Sequence, residues 1–334
     1  MLFEFDKKEI FLNKLKGKKN KYKRYTGAPI RYAGGKSLAV GEIIEKLPSN
    51  INRVISPFIG GGSVEIAIAK ELEIEVIAFD IFDILVNFWQ VLLNENDKKE
   101  MLKILYSLKP NKETFYEIKE ILKKHWENKE KLDKITLGAF YFFNHNLSYG
   151  PGFLAWPSSV YLDEKRYQNM LKKLDEFNVP KLKVYCDSFE NVLKTYPNDF
   201  LYLDPPYYIG KDSKMFKGIY PQRNFPIHHN NFPHENLRDL LKKHKGGFLL
   251  SYNDCPTIRE YYKEYKQFFP KWQYTMGQGE TRIGKNRQDR QNYVKESHEI
   301  LIYKEHKWQK EQCQAKKQVL LKKEEKTMKR NLLI

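Results

Sequence analysis

Asp204-Pro205-Pro206-Tyr207 directly follows Phe200-Leu-Tyr-Leu203, a short apolar run with strand character. A carboxylate, a two-proline bend and an aromatic ring at a strand's carboxyl end can grip an amino group on a flat ring. Proline fixes φ and lacks an N–H, so carbonyls beside the pair stay open as acceptors. Asp204 and the Pro205 carbonyl can then take both hydrogens of one –NH2 while Tyr207 stacks on the ring. The same residues also suit a plain proline turn with a capping aspartate. Four residues alone do not choose between these readings.

A second element lies upstream. Arg53-Val-Ile-Ser-Pro-Phe-Ile-Gly-Gly-Gly-Ser63 reads as a strand and a glycine turn, with an amphipathic helix starting at Val64. This is the pattern of the first β–α step of a nucleotide-binding sheet, where glycine lets the backbone approach a ligand closely. A further strand, Glu75-Val-Ile-Ala-Phe-Asp80, ends in an acid eighteen positions after Gly62. That is where a ribose diol is usually held. A packing turn with Asp80 opening the next loop is the plainer alternative. A third element, Ile30-Arg-Tyr-Ala-Gly-Gly-Lys-Ser37, ends like a phosphate loop. That motif needs glycine where Ile30 stands, and Ala28-Pro29 argues against a long preceding strand, so a nucleotide triphosphatase is disfavoured.

In this order and spacing, Tyr32–Lys36, Ser56–Gly62, Asp80 and Asp204–Tyr207 resemble the Dam-type DNA adenine N6-methyltransferases across roughly residues 25–303. The resemblance implies a Rossmann-like α/β sheet that binds S-adenosylmethionine, with a helical DNA-recognition insertion. It implies cofactor contacts from Tyr32, Lys36, Asp80 and Asp204, and chemistry at Asp204, Pro205 and Tyr207 on an adenine turned out of double-stranded DNA. Asp187 closes the strand pattern Leu182-Lys-Val-Tyr-Cys186; it suits the cofactor's adenine amino group as in that family, or equally a helix cap. Arg31 stands where the family tends to place a basic residue that reaches a guanine. A cognate restriction endonuclease is the protein partner this resemblance leaves open. One departure is visible: the family often has Glu before the Pro-Phe pair, and this chain has Ser56, which puts one contact to the cofactor's methionine end in doubt.

These motifs assign a catalytic domain to residues 25–95 and 181–303, with a helix expected from about Lys36 to Leu47. Residues 96–180 carry helical spacing and form the expected insertion. There a helix end at Phe140-Tyr-Phe-Phe-Asn144 runs into the Gly/Pro-broken loop 144–153, which is expected to face DNA. Later, Lys245-Gly-Gly-Phe-Leu-Leu-Ser-Tyr-Asn-Asp254 is expected to give another strand and loop, and His298–Lys304 a final strand. The polar segment 278–292 offers Arg282, Lys285, Arg287 and Arg290 to phosphates and base edges, or is simply a surface loop. His228, His229 and His234 read as a solvated loop, and no metal is expected.

The net charge of +17 favours polyanion partners. Residues 1–24 hold nine basic against three acidic side chains, and residues 304–334 hold ten against four, so these tails carry twelve of the seventeen. Solvation alone also explains such tails. Cys186, Cys255 and Cys313 lie too far apart for a metal spacing and fit a reducing cytoplasm. No stretch has the length and apolarity of a signal peptide or a membrane span.

Overall fold

Seven strands form one sheet in the order β3-β2-β1-β4-β5-β7-β6 among the described residues. They are β1 (Arg53–Ser56), β2 (Glu75–Asp80), β3 (Leu182–Cys186), β4 (Phe200–Leu203), β5 (Phe248–Asn253), β6 (Lys266–Phe268) and β7 (Glu299–Lys304). Strands β1 to β5 run parallel, and β7 runs antiparallel between β5 and β6. The sequence explains this placement. Phe-Leu-Tyr-Leu in β4 and Phe-Leu-Leu-Ser-Tyr-Asn in β5 are buried along their whole length, as strands covered by helices on both faces must be. Leu-Lys-Val-Tyr-Cys in β3, at the edge, exposes Lys183, Tyr185 and Cys186. The structure is a computed structural model, and it describes residues 6–17, 21–150, 152–210, 232–270 and 299–306.

From β1 the chain moves outward to β2 and β3, then returns to the other side of β1 as β4. The carboxyl ends of β1 and β4 therefore flank the point where strand order reverses, and there a crevice opens in sheets of this type. The glycine turn follows β1 and Asp204 follows β4.

The helix expected from about Lys36 begins only at Val40 and ends at Lys46. Residues 36–39 form a turn instead, with the Ala39 N–H donating to the Lys36 carbonyl at 2.7 Å. The Ser37 carbonyl is committed across the chain to the Tyr25 N–H at 2.8 Å, so it is not used along a helix axis. Lys36 thus projects from a turn.

Residues 95–175 carry four helices: Glu95–Ser107, Lys112–Trp126, Lys134–Leu147 and Glu164–Asp175. Each is started by a side-chain cap, from Asn94, Asn111, Asp133 and Asp163 respectively. The third packs on the helix Asp83–Leu93 that follows β2, through Phe82, Phe88, Tyr141 and Phe142. These rings continue the core beneath the sheet without a break. The helix runs through Leu147, so the loop expected from residue 144 begins only at Ser148, and its start is fixed relative to the glycine turn.

Candidate active site

The turn after β1 is pinned from three sides. Gly60 and Gly62 adopt φ of 45° and 67°, conformations that L side chains rarely adopt. The Gly60 N–H donates to Asp80 Oδ2 at 3.1 Å, and its carbonyl accepts from Trp89 Nε1 at 3.1 Å. Tyr32 lies directly on the turn: a Cβ added at Gly61 would come within 2.5 Å of it. The glycines therefore make room for Tyr32, whose ring in turn stacks on His145 at 5.7 Å. Asp80 also accepts from the Phe82 N–H at 3.0 Å. Burial nevertheless pushes its carboxyl above the ordinary range, against the pull of these N–H groups.

The backbone of Asp187 joins this corner, its N–H donating to the Asp80 carbonyl at 3.2 Å. The two acids thus end adjacent strands side by side. Asp187 is not the helix cap. That place belongs to Ser188, whose Oγ accepts from the Asn191 N–H at the start of the helix Phe189–Thr195. The Asp187 side chain supports the cap from outside, accepting from the Ser188 N–H at 2.7 Å and Asn191 Nδ2 at 2.9 Å.

Across the crevice, Lys36 Nζ donates to both oxygens of Asp204, at 2.6 and 2.8 Å, and to the Gly34 carbonyl at 3.2 Å. Burial raises the Asp204 carboxyl above its ordinary range, and the Lys36 ammonium opposes that rise. Lys36 therefore favours the ionised, acceptor-only form of Asp204. A third ionisable residue lies beside this pair. Ser56 Oγ donates at 2.7 Å to Glu65 Oε1, on the helix that follows the glycine turn. The strand end where the resemblance led us to expect a carboxylate thus has one within hydrogen-bond distance, supplied by another element.

The segment after Asp204 is held from β5 and β7. Tyr207 Oη bonds both oxygens of Glu299 at 2.6 Å, and Glu299 is itself buried. Asn253 brackets the next residue, accepting from the Tyr208 N–H at 2.8 Å and donating to its carbonyl at 2.9 Å. The Tyr207 ring is 4% exposed, packs against Tyr252 with centroids 6.2 Å apart, and has Lys36 Nζ 4.8 Å from its centroid. The ring expected to stack on the target base is thus held in place from β5 and β7. Pro205 lies buried between Asp204 and this clamp.

Arg31 also differs from a side chain held ready for a base. Its Nη1 donates to the carbonyls of Asn146 and Ser148 at 2.7 and 3.0 Å, and its guanidinium lies 3.5 Å from the Tyr161 ring centroid. Its backbone N–H donates to Asn146 Oδ1 at 2.9 Å, and its carbonyl accepts from His145 Nε2 at 2.7 Å. Arg31 therefore ties the segment before Tyr32 to the end of the helix Lys134–Leu147 and the start of the loop after it. His234 is not in a solvated loop: it opens the helix His234–Lys243, is half-buried and bonds Tyr252 Oη through Nδ1. His228, His229, Cys313, Arg282, Lys285, Arg287 and Arg290 lie outside the described residues. Among the described residues no cluster of three His, Cys, Asp or Glu gathers as a metal site requires, and no helix is long and apolar enough to cross a membrane.

Glu65, Asn253 and Glu299 escaped the sequence reading. Each left a faint trace, a polar residue interrupting or ending an apolar run: Val64-Glu65-Ile66, Tyr252-Asn253 and Glu299-Ile300-Leu301.

Several known proteins are similar to this chain. Type II methyltransferase M.MjaIII of Methanocaldococcus jannaschii is 26% identical over 204 residues, which cover 53% of this chain and 68% of the relative. Type II methyltransferase M.CviBI of Paramecium bursaria Chlorella virus NC1A is 22% identical over 272 residues, covering 76% of this chain and 94% of the relative. The modification methylase StsI of Streptococcus sanguinis is 25% identical over 271 residues, but the match spans only 38% of that longer protein. Residues 32–276, which hold Tyr32, Lys36, Asp80, Asp187 and Asp204, match one family along their whole extent, and the chain belongs to it: the D12 class of N6 adenine-specific DNA methyltransferases.

Proposed function

We propose that this protein methylates the exocyclic nitrogen of adenine in double-stranded DNA with S-adenosylmethionine as donor. The Lys36–Asp204 pair at the crevice between β1 and β4, with the lysine buried and the carboxylate partly exposed, supports this reading most strongly. The residues present fit such a donor. The glycine turn lies under Tyr32, Asp80 and Asp187 end adjacent strands where a ribose and an adenine amine would be held, and the Lys36 ammonium suits a carboxylate. When bound, the donor supplies an electrophilic methyl group on a sulfonium.

The chain's own task is alignment. The N6 lone pair of adenine is delocalised into the ring, so the amine is a poor nucleophile. Asp204 and the Pro205 carbonyl accept its two hydrogens and turn the lone pair out of the ring plane. Lys36 keeps Asp204 ionised for that role. Glu299 and Asn253 fix the segment that carries both acceptors, so orientation is set before substrate arrives. The Tyr207 ring becomes the wall against which the target base is seated. A base must leave the duplex to reach this crevice.

Arg31 holds the loop that begins at Ser148 against the site, and Arg282, Lys285, Arg287 and Arg290 contact DNA phosphates and base edges. A cognate restriction endonuclease is the partner we propose, because relatives carry the designation type II methyltransferase. Nucleoside analysis of duplex DNA incubated with the protein and labelled donor tests the function. N6-methyladenine is the expected product; N4-methylcytosine, or label absent from DNA, contradicts it.

A further inference from the structure

Glu65 is a buried carboxyl that the proposed chemistry does not use. It is 2% exposed, and its Oε1 accepts from Ser56 at the end of β1. Two other charged groups act on it: the Lys36 ammonium from the turn before the helix Val40–Lys46, and the Asp204 carboxylate from the end of β4. The charges of the packed helix Val40–Lys46 are spent elsewhere, with Glu42 and Glu45 on Lys21, and Lys46 on Glu45. On the turns that follow Glu65, Glu71 is taken by Tyr25 and Lys70 is exposed.

Charge counting then constrains the cluster. Lys36 and Asp204 cancel each other, so an ionised Glu65 would leave one uncompensated negative charge out of water, which is costly. A neutral Glu65 avoids that cost, and burial accordingly pushes its carboxyl up to about 8. The methyl donor changes the count. Its ammonium and carboxylate cancel, and its sulfonium adds one positive charge.

We propose that Glu65 is the exchangeable counter-charge of the donor site, protonated beside the closed Lys36–Asp204 pair and ionised when the net-positive donor binds. In that step the Glu65 O–H bond breaks, the proton goes to solvent, and the carboxylate stays hydrogen-bonded to Ser56. The cluster is neutral before and after. Glu65 is thus a positioning residue for the donor. This rests on the S-adenosylmethionine reading above.

Calorimetry of S-adenosylmethionine binding to the full chain, in buffers of different ionisation enthalpy, counts the protons. Release of up to about one proton per donor is expected below pH 8, falling towards none above it. Affinity should rise with pH by up to about tenfold per unit over the same range. Glu65→Gln should abolish both effects. Ser56→Ala removes the hydrogen bond that favours the charged form, and should move the midpoint of release to higher pH.

Wild type that binds donor without releasing protons, or Glu65→Gln that releases as many, overturns the inference. If Glu65→Gln does not fold, an unmoved midpoint in Ser56→Ala overturns it equally. Wild type that binds no donor at all overturns the methyltransferase mechanism itself.

Discussion

One group around the crevice is Lys36, Glu65 and, across from them, Asp80; the other, which holds the segment after Asp204, is Tyr207, Asn253 and Glu299. Both groups are largely shielded from water, yet they are wired differently. In the first, burial pushes the carboxyls of Asp204, Glu65 and Asp80 upward, and one ammonium serves two acids. In the second, one hydroxyl meets one carboxylate and one amide brackets one backbone unit. The difference teaches a division of labour. A cluster whose charges are held under tension responds when a charged ligand arrives; a cluster of hydrogen bonds that joins β5 and β7 to the segment after Asp204 keeps that segment still. Asp204 sits where the two meet.

Breaking the responsive side should have the largest effect. Lys36→Met removes the charge that favours ionised Asp204, so methylation at neutral pH should fall by roughly 10²–10³. The acid limb of the pH–rate profile should move upward, and activity should partly return as pH rises. An unshifted limb would mean that Asp204 does not depend on Lys36.

Breaking the rigid side should cost stability first. Tyr207→Phe removes a hydroxyl donor to the buried Glu299 carboxylate, at about 1.5–3 kcal/mol. Chemical denaturation measures that loss, and donor affinity should stay close to wild type. A variant as stable as wild type would deny the clamp.

Stability against pH sharpens the contrast. Glu65 is raised from 4.5 to about 8, so its contribution is lost as pH climbs through that window. Burial drives His145 from 6.5 down to about 4, so its contribution is lost as pH falls from 6.5 towards 4. The two windows overlap and offset each other between 4.5 and 6.5, so stability should be level there and fall from 6.5 towards 8. Glu65→Gln should remove that fall and leave a rise from about 4 to 6.5. A smaller loss, about 1–2 kcal/mol, is expected for Arg31→Ala, with faster amide exchange in residues 146–150. Smallest of all is Arg53→Ala: its ion pair with Asp199 is partly exposed, and under about 1 kcal/mol should be lost.

Much of the fold was legible because its strands are short apolar runs bounded by turn residues, and β2, β3 and β4 fall where the pattern places them. The start of the helix at Val40 was not legible, since the Tyr25–Ser37 hydrogen bond that opposes an earlier start joins residues twelve positions apart. The acids at strand ends, Asp80 and Asp204, announce themselves by position. Glu65, Asn253 and Glu299 do not, because their meaning lies in partners up to 92 residues away. Tyr207 shows the complementary case. Its motif names the ring expected to stack on a base, and only the packing of β5 and β7 shows how that ring is held.

The most direct test of the central claim is single-turnover methyl transfer by Asp204→Ala on duplex DNA, with donor binding and circular dichroism measured alongside. The variant should fold and bind DNA as wild type does, yet transfer methyl groups roughly 10²–10³ times more slowly. A folded Asp204→Ala protein that methylates adenine within about threefold of wild type, far inside that range, would contradict the account.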